Sequence, residues 1–285
     1  MARSTPASRQ HHFSFWAATA SLVVAIMLPG AGTATAQDTP SESAPSGGSC
    51  ARLVASGNPD YPPYLWRDPS DEKQLIGANA ELMAKLAKEI GIPIEVRYIG
   101  SWARVQEEMR EGRIDLIAGA FLTTQRLDYM DYVYPSIATT RSVVITLPDS
   151  PLDFKTWPDL VGQAGLTVIN NSFGEEFDRY ARENLAIDEV PKLESALRML
   201  ALGRADYVIY EDAPALAYAA QLGIGEIREA ENAISNENLY LTLSHRSPCN
   251  SPALRGRLAQ AMLKFAQEGT MTELIDAAVQ AWRAQ

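Results

Sequence analysis

The chain has 285 residues, 35 acidic against 25 Lys and Arg, for a formal net charge of -10 with histidine neutral. An acidic surface argues against nucleic acid and anionic lipid as partners. Only His11, His12 and His245 are present, too few for a histidine-built metal site, and neither metal nor cofactor is expected.

Residues 1–12 carry Arg3 and Arg9 and no acid, the apolar run "FSFWAATASLVVAIMLPG" follows, and small residues stand at Ala34 and Ala36. That order predicts a secretory signal peptide cleaved after Ala36. The alternative is a membrane anchor, but the run has about the minimum spanning length and ends at Pro29-Gly30. No cysteine sits at the cleavage point, which disfavours a lipoprotein. Removing residues 1–36 takes away two arginines and no acid and moves the charge from -10 to -12. Residues 37–49, with "DTPSESAPSGGS", have the composition of a disordered tether. About 235 residues remain, enough for one large core or two smaller ones. Cys50 and Cys249 are an even pair in an exported chain, which invites a disulfide against the alternative of two free thiols. No CxxC is present, so a redox role has little support.

Residues 52–57 read as a strand. The stiff aromatic stretch "YPPYLW" follows at 61–66. Residues 78–91 read as a helix with Leu82, Met83, Leu86 and Ile90 on one stripe and Gly91 at its end. Residues 92–99 are a strand, 101–112 a helix from Ser101 to Gly112, and 114–120 a strand. This βαβαβ run predicts a mostly parallel sheet. The pattern then restarts. Residues 156–162 form a short helix, 165–170 a strand, 174–185 and 193–204 helices, 205–210 a strand and 213–223 a helix. A strand at 239–244 and two C-terminal helices complete the chain.

"EEMREGRIDLIAG" (107–119) echoes "RMLALGRADYVIY" (198–210): helix, Gly-Arg, then a strand with an early aspartate. Ligands of open α/β sheets bind beyond the carboxyl ends of strands, which points to 119–126 and 211–214. Neither a P-loop nor GxGxxG occurs.

The stretch "SWARVQEEMREGRIDLIAGAFLTTQRLDYMDYVYPS" resembles the periplasmic solute-binding proteins of polar amino acid ABC transporters, the family 3 type, and the resemblance extends over about 50–285. It implies a type II periplasmic-binding fold, two α/β lobes joined by a two-strand hinge and closing over a ligand. The first lobe would take 50–141 plus 240–285, and the second lobe 142–239. A Cys50–Cys249 bridge would then staple the two ends of the first lobe.

The resemblance also implies a ligand set. Arg126, three residues after Thr123, would grip the ligand carboxylate with its guanidinium fork. The alternative is a surface arginine paired with Asp128 or Asp131. The backbone N–H groups of Gly119 and Phe121 would add donors. Ser172 matches a threonine that donates to the carboxylate, and is alternatively a plain helix cap. Glu211 stands where the family has an aspartate for the α-ammonium, one methylene longer, while Asp212 suits a helix cap. Tyr61 and Trp102 match aromatics that would sandwich the ligand's side chain, with Asn58 a polar neighbour. Core packing is the alternative for Tyr64 and Trp66.

Phe121 replaces a hydroxyl usual in the family loop, and "NNS" (170–172) replaces a Gly-Thr pair. Basic and aromatic amino acids, betaine-like compounds and opines all remain open as ligands. The expected function is non-enzymatic binding of an amino acid or related amine–carboxylate, by a monomer, for delivery to an ABC permease. The alternatives are a ligand-sensing subunit and a dehydratase-like enzyme on the same fold.

Overall fold

The computed structural model describes residues 50–285. The signal-peptide and tether expectations lie outside the described residues. In chain order the elements are β1 (Leu53–Ser56), β2 (Asp60–Tyr61), β3 (Leu65–Arg67), β4 (Leu75–Ile76), α1 (Ala78–Ile90), β5 (Ile94–Val96), α2 (Trp102–Arg110), β6 (Leu116–Phe121), α3 (Thr124–Leu127) and β7 (Met130–Thr146). After a 3₁₀ turn at Trp157–Leu160 come β8 (Ala164–Val168), α4 (Glu175–Asn184), β9 (Ala186–Val190), α5 (Leu193–Ala201), β10 (Tyr207–Glu211), α6 (Asp212–Leu222), β11 (Arg228–Ser244), α7 (Pro252–Gln267) and α8 (Thr270–Arg283).

One eight-stranded sheet runs β5-β1-β6-β11-β7-β10-β8-β9. Its two ends are parallel: β1 pairs with β5 and β6, and β8 with β10 and β9. β1 is buried at all four positions, the signature of a strand covered on both faces. The middle is antiparallel. β7 and β11, each 17 residues long, pair with each other from Arg228↔Thr146 to Ser244↔Met130. β11 also pairs with β6, and β7 with β10, so these two strands join the parallel ends. The fold is thus α/β and two-lobed. Of β11, sequence patterning finds only residues 239–244, and it finds neither β7 nor β9.

Helices cover the sheet by their apolar stripes. α1 buries Leu82, Met83, Leu86 and Ile90. It ends at Gly91 in the left-handed region, with φ 66°, where glycine carries no steric penalty. It packs with α7 residues Leu254, Leu258 and Met262 against β1 and β6. At the other end, α5 residues Leu197 and Leu200 pack on β8 and β10.

The repeated Gly-Arg-x-Asp corner has a structural cause. Asp115 Oδ2 accepts the N–H of Val54 at 2.7 Å, and Asp206 Oδ2 accepts that of Ala164 at 2.7 Å. Each aspartate therefore clips the start of its own strand to a neighbouring parallel strand. Cys50 and Cys249 form a disulfide, which ties the residues before β1 to the turn before α7. The stretch 60–76 forms a small sheet, β2-β3-β4. Trp66 in β3 meets Trp282 of α8 edge to face at 5.4 Å, and Trp282 Nε1 donates to the carbonyl of Ala217 in α6 at 3.3 Å.

Candidate functional site

The site forms where β6, β8 and β10 end. β6 stops at Phe121. Thr123 caps the single turn of α3, its Oγ1 accepting the N–H of Arg126 at 3.2 Å, as a threonine N-cap does. That turn sends Arg126 inward, where it is only 5% exposed. Its Nη1 donates to the carbonyl of Phe121 at 2.9 Å and its Nη2 to that of Asn170 at 3.2 Å. The guanidinium carbon lies 5.3 Å from the ring centre of Trp102, within cation–π reach. Among the described residues Arg126 forms no ion pair, and Asp131 pairs instead with His245 and Arg255.

Asn170 reaches Arg126 from the turn after β8. Its φ is 61°, a conformation asparagine tolerates better than most residues. Its carbonyl also accepts from Gln106 Nε2 at 3.2 Å. Sequence reading misses Asn170 and Gln106, although the Asn-Asn dipeptide is itself a turn signal. Ser172 follows. Its hydroxyl donates to Asp178, whose other oxygen accepts the N–H of Phe173 at 2.9 Å. The Ser172 proton is thus engaged by Asp178 of α4. Glu175, at the start of α4, accepts the backbone N–H of Thr124. Hydrogen bonding to Thr124 holds its carboxyl below the usual range.

Glu211 ends β10 and precedes α6, but its side chain makes no cap bond. It is 2% exposed, and its Oε2 has no hydrogen-bond partner among the described residues. Burial pushes its carboxyl up to about 8; Asp212 adds to the rise and the Arg126 charge opposes it, as desolvation and neighbouring charges do. The two groups therefore lie within electrostatic reach. Asp212 itself begins α6, accepts the N–H of Ala213 at 2.6 Å and lies 3.6 Å from Arg141.

Three tyrosines stand beside Glu211. Tyr61 stacks on Tyr64 at 5.2 Å and meets Tyr210 edge to face at 6.3 Å. Burial raises the phenols of Tyr61 and Tyr210 well above their ordinary value, and the Glu211 charge adds to both. Tyr210 Oη accepts from Asn58 Nδ2 at 2.8 Å and donates to the carbonyl of Asp60 at 3.3 Å. Tyr218 Oη donates to Asp60 Oδ1 at 3.3 Å. Phe121 joins Tyr61, Tyr64 and Tyr210 in one apolar cluster. Trp102 does not face Tyr61; it packs with Val105, Met109 and Tyr129 in another cluster.

Gly119 lies where β6 slips against β11, between the pairs Ala118↔Leu241 and Ala120↔Tyr240. Its φ is 120°, and a Cβ there would stand 2.9 Å from Asn79 Nδ2. That nitrogen donates to the carbonyl of Ala118 at 2.6 Å, so a side chain would meet the group that fixes the strand.

A cavity of about 850 Å³ adjoins this layer. Thr123, Arg126 and Ser172 line it; Asn58, Tyr61, Trp102, Gly119, Phe121 and Glu211 do not. The residues singled out from sequence therefore divide. Thr123, Arg126 and Ser172 line the cavity, Trp102 lies against the guanidinium, and Tyr61 and Phe121 belong to a separate aromatic cluster with Asn58 and Glu211 beside it. No group of three or more His, Cys, Asp or Glu is placed to hold a metal ion among the described residues. No described helix is long and apolar enough to cross a membrane.

The family model described as bacterial extracellular solute-binding proteins, family 3, matches residues 53–280. No curated protein matches the chain. Among solved structures, the amino acid ABC transporter substrate-binding protein AbpA from Streptococcus pneumoniae, bound to L-arginine, superposes with a TM-score of 0.68 at 20% identity, covering 81% of this chain and 96% of that one. A histidine kinase sensor domain similar to periplasmic binding proteins gives 0.68 at 21% identity, covering 81% and 95%. The GluR0 ligand-binding core from Nostoc punctiforme, in complex with L-glutamate, gives 0.64 at 23% identity, covering 79% and 98%. At these identities the likeness is one of fold.

Proposed function

The chain belongs to the bacterial extracellular solute-binding proteins of family 3, and from that premise we propose that it binds an amino acid or related amine–carboxylate in the periplasm and delivers it to an ABC permease. A signal peptide cleaved near Ala36 takes it across the inner membrane. The first lobe comprises 50–141 plus 240–285, and the second lobe 142–239.

The observation that carries this reading is a buried guanidinium and a buried carboxyl, neither with an ionic partner. Arg126 comes from the first lobe and is satisfied only by neutral carbonyls. Glu211 comes from the second lobe and has an unpartnered oxygen. A buried charge is costly unless compensated. A zwitterion compensates both, its carboxylate on the Arg126 fork and its ammonium on Glu211. Because the two groups come from different lobes, only the closed arrangement offers both, and ligand shifts the population toward it. Tyr61, Tyr64, Phe121 and Tyr210 supply apolar walls. Asn58 positions Tyr210, and Thr123 positions Arg126. Trp102 supports the guanidinium from behind, and Gly119 sets the strand that carries Phe121. AbpA, which binds L-arginine, and the GluR0 core, which binds L-glutamate, support the amino acid class.

The test is calorimetry on unfolded, dialysed and refolded protein against the amino acids, simple amines and opines. Saturable binding of one of them is the expected result. Silence from the whole set rejects the reading.

A further inference from the structure

The cavity beside Arg126 has a charge pattern opposite to that of the chain. It is lined by four arginines, Arg110, Arg126, Arg179 and Arg182, against three acids, Glu175, Asp178 and Glu189, whereas the whole chain is at -10. Two of those acids are already engaged. Glu175 accepts the N–H of Thr124, and Asp178 accepts the Ser172 hydroxyl and the N–H of Phe173. Glu189 is exposed at the rim.

The arginines are freer. Arg110 pairs with Glu107 at 2.8 Å, outside the cavity lining, and lies over the Tyr129 ring at 4.4 Å. Arg179 and Arg182 are three residues apart on α4, hence on one face of the helix, and neither forms an ion pair among the described residues. Asn171, on the same wall, has a buried Nδ2 without an acceptor. The cavity therefore offers a surplus of donors and positive charge, and Glu189 is its one acid not already engaged by a hydrogen bond.

Resting on the amine–carboxylate reading above, we propose that this cavity receives a second acidic group of the ligand. The solute is then an amino acid bearing a further carboxylate, rather than a neutral or basic one. A carboxylate pairs with a guanidinium by two parallel hydrogen bonds. A cationic side chain would instead enter beside Arg110, Arg179 and Arg182, in a lining where arginines outnumber acids. The cavity lies within the ordinary size range of small-molecule sites, with room for a chain at least as long as that of glutamate.

The experiment is calorimetry at pH 7 with L-glutamate, L-2-aminoadipate, L-glutamine and L-arginine on the intact mature protein. The expected result is that a dicarboxylate binds at least about tenfold more tightly than glutamine or arginine. The double variant Arg179→Gln/Arg182→Gln changes two exposed helix positions. It should weaken dicarboxylate binding by about tenfold and glutamine binding by much less, since a neutral amide forfeits only the hydrogen bonds. Preference for glutamine or arginine overturns this inference and leaves the amine–carboxylate reading standing. So does a double variant with unchanged dicarboxylate affinity. Silence from all four probes and from the wider amino acid set removes that reading and this inference together.

Discussion

Nη2 of Arg126 donates to the backbone carbonyl of Asn170, 44 residues away, at 3.2 Å. A neutral carbonyl satisfies an N–H but does not neutralise the charge behind it. Arg126→Met keeps most of the side-chain volume and removes that charge. The expected outcome is a loss of ligand affinity of about 2–5 kcal/mol. The melting temperature of ligand-stripped protein should hold or rise, because a buried uncompensated cation is gone. Calorimetry and thermal melts check both; affinity within a few-fold of wild type would rule out the carboxylate role.

Glu211 gives a pH dependence. Its carboxyl in the folded protein titrates near about 8, chiefly because of burial, against an ordinary value of 4.5. Between those values the folded state holds more protons than the unfolded one. Stability is therefore full below about 4.5 and declines as pH rises toward 8, by at most about 1.4 kcal/mol per pH unit. Glu211→Gln should flatten that slope in denaturant titrations. A ligand ammonium needs the ionised carboxylate, so binding should release a proton at neutral pH, and affinity should rise from pH 6 to 8. Calorimetry in two buffers of different ionisation heat measures the released proton. Equal heats in both buffers would contradict this use of Glu211.

The parallel ends of the sheet, apart from the mostly exposed edge strand β9, are legible in sequence because their strands are short apolar runs set between amphipathic helices and punctuated by glycine. β7 is not, because residues 130–141 mix buried, half-buried and exposed positions before the buried run at 142–146. The first part of β11 is mostly exposed or half-buried for the same reason: it pairs with β7 away from the helices. At the candidate site, the positions of Arg126 just beyond β6 and of Glu211 at the end of β10 follow from the strand pattern. Asn170 cannot be read in this way, because it acts through its carbonyl, which leaves no trace in side-chain type. Trp102 reads as a facing wall because spacing fixes its helix position but not which cluster its ring enters.

The Cys50–Cys249 disulfide spans 199 residues. Chain-entropy arguments for so long a loop allow up to about 5 kcal/mol, and measured values usually fall at about 2–4 kcal/mol. Cys50→Ser/Cys249→Ser should lower the denaturation midpoint without changing ligand affinity, since neither cysteine lines the cavity. Loss of affinity at a temperature where the variant is fully folded would show that the bridge also shapes the site.

In the proposed division of the chain, Glu175 and Thr124 belong to different lobes. The carboxylate stands at the start of α4 and accepts the N–H that opens α3, so on that division it couples one lobe to the other. Both residues are exposed, so the bond is screened and weak in isolation. Its effect is on the balance between open and closed forms. Glu175→Ala removes the acceptor without touching Arg126 or Glu211. In ligand-stripped protein the closed fraction should fall, raising the radius of gyration in solution scattering. Apparent affinity should drop by the same factor as the closed fraction. Acid should mimic the substitution: hydrogen bonding to Thr124 holds the Glu175 carboxyl below its usual range, so the coupling persists through neutral pH. It is lost only as pH falls through that lowered value. Unchanged scattering together with unchanged affinity in Glu175→Ala would mean that the closed form rests on the other contacts between these regions, among them Arg126–Asn170, Asn58–Tyr210, Asp60–Tyr218 and Trp282–Ala217.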